Sequence, residues 1–343
     1  MSERLNRREF LKGAAVAGLG LLGGCGKKPA PPPAAPVSEV SPPSVPPPTG
    51  KSQVVIVRHS GVQDEQRRLD RAVLEKMLDE GMLELSGESS VQRAWEKYFS
   101  SDERVGLKPN GIAGPALSTA TALIEICIER LLGLGLKAEN IIVWEQDDNR
   151  IRNCGLQVNL SGPGVRRRGI NGDWDEVVQL GSFRGRLTKI VTQRVDAILN
   201  LPILKDHNIA GITLALKNHY GTHDNPAAHH PNNCDPYCAD LNALPAIKDK
   251  TRLIIADATR AAYEGGPSFH PQHVWAYNGL MFATDPVALD YTGWQIIEKK
   301  RAEVGRPPLT RVGRPPKYIA SAAARRLGTN DPKYIELIER DLA

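Results

Sequence analysis

The sequence predicts an α/β protein with a mainly parallel sheet flanked by helices. Two observations carry that prediction. Between Ser52 and about Val304, short apolar strands alternate with amphipathic helices, the pattern of βαβ units. Charged and amide residues then collect just after those strands, where open α/β sheets place their ligands. A length of 343 residues, with 41% hydrophobic and 24% charged residues, suits one large or two modest soluble domains.

The first 50 residues stand outside this pattern. Arg7 and Arg8, followed by Glu-Phe-Leu-Lys, precede a short apolar run from Gly13 to Leu22. A charged start, a brief apolar run and small residues describe an export signal, and the paired arginines resemble the twin-arginine type. The run is too short for a spanning helix, which needs roughly 20 residues. Leu22-Gly23-Gly24-Cys25 resembles a lipobox, making Cys25 the candidate lipidation site and residues 1–24 the signal. The alternative is a signal cut elsewhere, near Ala34-Ala35. Ten prolines fall within 29–50, so residues 25–50 read as a polyproline-type tether, and the stretch 29–50 alone can span roughly 70 Å. Expected partners are therefore the twin-arginine export machinery and, through the lipid, a membrane. The location follows as exported and membrane-anchored, on the periplasmic or extracytoplasmic side.

Val54–Val57 reads as the first strand of the domain expected over 51–304. Helical sequence follows from Asp64 to Lys97, with breaks expected at Gly81 and Gly87. Val105–Leu107 is a short strand, Leu117–Leu134 a helix with Leu123, Ile126, Cys127 and Leu131 on one face, and Ile141–Trp144 a strand. The Gly- and Arg-rich stretch 151–188 lacks periodicity and reads as an insertion or a small hairpin. Asp196–Leu201 and Leu253–Ala256 are buried strands, and Asp240–Lys248 is helical. Asp285-Pro286 opens a helix to about Val304, because aspartate caps and proline suits the first helical position. A C-terminal extension, 305–343, is expected to close with helices at Ile319–Leu327 and Pro332–Leu342.

A net charge of +5, about +3 without residues 1–24, gives no case for nucleic acid. Arg166-Arg167-Arg168 is the one dense basic cluster after the signal and reads as a solvated loop. Five cysteines in a chain of this length make no disulfide framework.

Residues 201–238 hold five of the eight histidines and two of the five cysteines, with Lys205 and Lys217 among them. Three chemistries are open there. His219, His223, His230, Cys234 and Cys238 form a candidate metal set, with zinc, copper or iron suiting imidazole and thiolate. In an oxidising compartment Cys234 and Cys238 are instead candidates for a disulfide. Lys108, Asn110, Lys217 and Asn218, with Lys205 and His207, supply donors for a small anion. Lys205, His207 and Asp257 are the candidate catalytic residues, a carboxylate (Asp257 or Glu264) beside His207 being the usual proton-transfer pair. No phosphate-binding Gly-rich Lys loop, Gly-x-Ser-x-Gly elbow or His-Glu-x-x-His is present.

Several phrases together resemble a known family. They are Val-Gly-Leu-Lys-Pro-Asn (105–110), Leu-Pro-Ile-Leu-Lys-Asp-His-Asn (201–208), Gly-Ile-Thr-Leu-Ala-Leu-Lys-Asn (211–218), Ile-Ala-Asp-Ala with Tyr-Glu-Gly-Gly-Pro (255–258, 263–267) and Phe-Ala-Thr-Asp-Pro-Val-Ala-Leu-Asp (282–290). In this order they are similar to the bacterial and archaeal domain of unknown function 362 family, over roughly 52–300. Many of its members carry a ferredoxin-like segment for iron–sulfur clusters. This chain has no Cys-x-x-Cys-x-x-Cys run, so that implication does not extend to it. The function expected is an enzyme or redox-associated protein acting on a small anionic ligand, with metal dependence open. The alternative is a non-catalytic solute- or metal-binding lipoprotein.

Overall fold

The computed structural model describes the backbone of residues 38–39 and the whole of 50–343. Arg7, Arg8, Cys25, the signal-type segment and nearly all of the tether lie outside the described residues. Strand β1 (Ser38–Glu39) precedes β2 (Ser52–Arg58), α1 (Arg71–Ser86), α2 (Val91–Glu96), β3 (Val105–Lys108) and α3 (Thr121–Gly133). Next come β4 (Ile141–Glu145), α4 (Asp148–Asn153), β5 (Arg166–Gly169), β6 (Trp174–Leu180) and β7 (Phe183–Thr188). The central stretch forms β8 (Ala197–Asn200), β9 (Ile203–His207), β10 (Gly211–Thr213) and the short helical segments α5 (Ala215–Asn218), α6 (Pro231–Cys234), α7 (Tyr237–Asn242) and α8 (Pro245–Lys248). The chain closes with β11 (Thr251–Ala262), β12 (Val274–Ala283), α9 (Pro286–Glu303), α10 (Tyr318–Ala324) and β13 (Ile335–Asp341).

The main sheet runs β13-β2-β12-β11-β8-β3-β4-β5, with β9 paired to β11 and β10 to β9. Most of its pairings are parallel; β12 runs antiparallel to both neighbours, as does β10 to β9. Both faces of its inner strands are covered, which is why β2, β3, β4 and β8 are largely continuous apolar runs. Along β2, Val54 and Ile56 enter one core while Val55 and Val57 enter the other. Leu123, Ile126, Cys127 and Leu131 of α3 pack in the second core, as the helical period requires. No helix among the described residues is long and apolar enough to cross a membrane.

Four expectations need correction. Gly81 does not break α1, which continues to Ser86. The glycine is there for space: a Cβ would lie 2.1 Å from Cε2 of the buried Phe282 ring. The first helical turn expected at Leu117 is separate, and α3 proper begins at Thr121. The stretch 151–188 is divided: β6 and β7 form the hairpin, whereas β5 joins the main sheet beside β4. The arginines of β5 are therefore strand residues, with Arg167 on Glu125 at 2.9 Å and Arg168 on Asp173 at 3.3 Å. Finally, 332–342 holds a strand where a helix was expected. Ile335 and Ile338 mimic a helical spacing, but pairing with the β2 backbone in parallel register wins.

The Asp285 cap is as expected, accepting from Val287 N at 2.8 Å and Ala288 N at 2.9 Å. It also accepts from Ser52 Oγ and Thr329 N, so one carboxylate ties α9 to the start of β2 and the approach to β13.

Candidate functional site: a lysine-rich cavity at the carboxyl edge

Beyond the carboxyl ends of β3, β4 and β9 lies a cavity of about 500 Å³. Its polar wall includes Lys108, Asn110, Glu145, Arg150, His207, Lys217 and His230, and its apolar wall Ile112, Ile209, Tyr220, Pro226 and Pro267. The polar groups arrive from several elements. Lys108 ends β3, Glu145 ends β4 and His207 ends β9. Lys217 and Asn218 ride on α5, whose first backbone N–H groups are held by Asp290 of α9: Ala215 N lies 2.7 Å from Oδ1 and Leu216 N 3.3 Å from Oδ2. The phrases 211–218 and 282–290 thus meet in space.

Lys108 is fully buried and pairs with Glu145 at 3.1 Å. The same carboxylate accepts from Gly111 N at 2.7 Å and Gln146 N at 2.9 Å. Burial pulls the Lys108 ammonium below the ordinary lysine value, opposed by Glu145. Lys205 lies beneath the wall rather than in it, wholly buried, donating to Asn110 Oδ1 at 3.0 Å. Burial takes it down to about 7, against the pull of Glu145 and Asp206. Lys217 sits with Nζ 3.3 Å from the Tyr220 ring centroid and 3.3 Å from His230 Nε2. Burial brings it to about 8. Among the described residues neither Lys205 nor Lys217 has a carboxylate within ion-pair distance.

The two wall histidines have defined tautomers. His207 Nδ1 accepts from Ile209 N at 3.1 Å and Ala210 N at 3.2 Å, so the neutral ring carries its proton on Nε2. Burial, then Lys217, holds His207 well below its usual titration range. His230 Nδ1 lies 2.7 Å from the Pro226 carbonyl, so it donates there and leaves Nε2 as the acceptor facing Lys217. The rings stack at 5.4 Å.

Of the anion-binding residues read from the sequence, Lys108, Asn110, Lys217 and Asn218 all reach this cavity. Asn218 is a brace: its two amide hydrogens go to Lys108 O and Asn200 Oδ1, each at 2.8 Å. Asn110 spends one amide hydrogen on Asn218 Oδ1 at 2.9 Å. Asp257 is not on the wall and does not serve His207. It accepts from Ala120 N at 2.9 Å and Thr259 Oγ1 at 2.6 Å, fastening the start of α3 to β11. Glu264 is also engaged elsewhere, at 2.6 Å from both Arg301 and Arg314. Arg314 reaches Asp206 at 2.9 Å, so the C-terminal extension braces the strand that carries Lys205 and His207.

The metal set does not converge. Among the described residues no three His, Cys, Asp or Glu side chains are grouped to hold a metal ion. His219 opens onto a separate cavity with Asn200 and Asn242, and burial takes it to about 3. His223 packs as a ring against Tyr220 at 5.4 Å and His229 at 5.0 Å, with burial keeping it neutral. Only His230 of this set joins the cavity. Cys234 and Cys238 are free, buried thiols rather than a disulfide. Cys234 ends a run of left-handed residues, with φ of 52°, 61° and 65° at Asn232, Asn233 and Cys234. Cys238 is in α7, its Sγ 3.9 Å from Asn242 Nδ2. Glu145 was visible as a strand-end carboxylate but not as the partner of Lys108. Arg150 and Tyr220 carried no spacing signal.

The fold and this edge define an α/β protein whose mainly parallel sheet opens on a polar, cation-rich cavity. Residues 105–295 match the model of a domain of unknown function, DUF362; the chain belongs to the DUF362 family. Among solved structures it is similar to the crystal structure of a Thermotoga maritima protein, at 10% identity and a TM-score of 0.40, over 66% of this chain and 57% of that one. The chain thus spans less than two thirds of that protein's length. No curated protein matches it.

Proposed function

We propose that the cavity binds a small organic anion and that the protein is an enzyme acting on it. The observation that carries this is Lys217, a buried amine on the cavity wall without a carboxylate of its own, backed by Lys205, which is enclosed just beneath that wall and also lacks one. Buried charge is costly unless paired, and an anionic ligand supplies the missing partner. A cavity of about 500 Å³ is of ligand size, and its Ile112, Ile209 and Tyr220 side chains suit an organic body. The neutral His207 and His230, one offering N–H and the other a bare nitrogen, favour proton transfer over simple capture. Calorimetry against a panel of carboxylates and phosphates tests the binding. Lys217→Met is expected to weaken it by about 1.5–3 kcal/mol, the worth of a charge-assisted hydrogen bond. Equal affinity in wild type and variant would remove the basis of this reading.

The export and anchoring segments are part of the same proposal: an exported protein held to a membrane through lipid on Cys25. Cys25→Ala is expected to move the mature protein into the soluble fraction, and replacing Arg7 and Arg8 by lysine to leave precursor in the cytoplasm. Unchanged membrane attachment of the Cys25→Ala protein would refute the anchor.

A further inference from the structure

We propose that Lys217 is a nucleophile that condenses with the keto carbon of an α-keto acid bound in the cavity. The inference rests on the anion-binding reading and narrows its ligand to one bearing a carbonyl.

The three lysines are not equivalent. Lys108 is engaged by Glu145 at 3.1 Å and by the Pro109 carbonyl at 2.6 Å, so its nitrogen is held by acceptors and not free to attack. Lys205 donates to Asn110 Oδ1 at 3.0 Å and does not reach the cavity wall. Lys217 is on the wall, has no carboxylate, and points at a base. His230 Nδ1–H is committed to the Pro226 carbonyl at 2.7 Å, which leaves Nε2 as an acceptor 3.3 Å from Lys217 Nζ. An ammonium facing a ring nitrogen with a free lone pair can lose its proton locally. The titration of Lys217 near about 8 agrees, since a useful fraction is then free amine at neutral pH. His207, stacked on His230, offers Nε2–H to the wall as a hydrogen-bond donor for the carbonyl oxygen. Arg150, on the same wall, supplies positive charge for the ligand's carboxylate, and Ile112 and Ile209 can flank its side chain.

The step balances without another reagent. Lys217–NH₃⁺ and the keto group give an iminium, Lys217–NH⁺=C, and water. The C–N bond forms and the C–O bond breaks. Two of the three ammonium protons leave on the oxygen, passing through His230 Nε2, and the third stays on the iminium nitrogen.

Sodium cyanoborohydride traps such an iminium as a secondary amine. The protein is incubated with pyruvate or phenylpyruvate and the reductant, then mapped by peptide mass spectrometry. The expected result is an adduct on the Lys217 peptide that saturates with keto acid. The site should be unlabelled in Lys217→Arg, and labelling at least about ten-fold slower in His230→Phe, as loss of a proton-transfer group requires. Calorimetry with the same keto acids runs in parallel. Binding heat without a Lys217 adduct overturns the nucleophile and leaves the anion site standing. Labelling scattered over exposed lysines also overturns it. Absence of both heat and adduct overturns this proposal and removes the support for the anion site with it. The wild-type map decides the matter even if a variant fails to fold.

Discussion

Glu145→Gln is expected to cost about 3–5 kcal/mol of stability at neutral pH, the usual loss when one partner of a buried ion pair is removed. Lys108 and Glu145 are 1% and 3% exposed at their side chains, so water cannot take the carboxylate's place. A glutamine keeps only one of the two main-chain acceptances, from Gly111 N or from Gln146 N, so the loss includes one backbone hydrogen bond as well as the charge. The loss also has a ceiling. Lys108 can shed its proton instead of remaining an unpaired charge, and moving an ordinary lysine to neutrality at pH 7 costs about 5 kcal/mol at 1.4 kcal/mol per pH unit. The deficit must therefore shrink as the solution is made alkaline. Denaturant midpoints at about pH 7 and about pH 9.5 test both statements. A variant as stable as wild type at neutral pH would show that the pair holds nothing together. A domain of this kind can absorb only a few such losses, since total stability is about 5–15 kcal/mol. Replacing both partners by apolar residues should recover much of it, because the penalty lies in the orphaned charge and not in the absence of the bridge.

The inner strands β2, β3, β4, β8 and the first half of β11 were legible because each is a compact apolar run buried on both faces, unlike the arginine-rich β5 and the exposed β13. Their carboxyl ends could be read too, since Lys108, Asn110, His207 and Lys217 follow those runs and the topology brings β3, β9 and α5 together. Burial was not legible. Lys205 follows an apolar run as Lys108 does, yet it is wholly enclosed and not at an accessible cleft, as a strand-end position suggests. Nor could the sequence assign partners. Asp257 and Glu264 looked like companions for His207, but main-chain N–H groups claim one and arginines the other. The histidine spacing suggested ligands, whereas His223 is one ring of an aromatic pile with Tyr220 and His229. In β13 the backbone pairing offered by β2 outweighed a helical spacing, a tertiary effect that local pattern does not contain.

Stability and anion affinity are expected to move in opposite directions as pH rises. Lys205 and Lys217 titrate in the folded protein near about 7 and about 8, against 10.5 for an ordinary lysine. Below pH 7 both groups are protonated in the folded and the unfolded chain, and the full cost of burying two charges is present. Between the folded values and 10.5, the folded protein has released protons that the unfolded chain still holds. Stability rises with pH wherever the unfolded state binds more protons, so the ligand-free protein gains stability across this window. Each tenfold difference in proton affinity between the folded and unfolded chain is worth about 1.4 kcal/mol, and together the two lysines give a gain of several kcal/mol. The same deprotonations strip positive charge from the cavity, so an anion binds best below about pH 7 and loses affinity steadily above it. Lys205→Met separates the two effects. It removes a buried charge that has only an amide oxygen as partner, so the ligand-free variant should be more stable than wild type at neutral pH and show a flatter rise. Its affinity for the anion should fall even though Lys205 makes no contact with the cavity, because its charge acts through Asn110. Denaturation and calorimetry at about pH 6 and about pH 9 measure both trends on one preparation. A ligand-free protein that loses stability over that interval would mean that these lysines are paired or solvated after all, and an anion would no longer be needed as their partner.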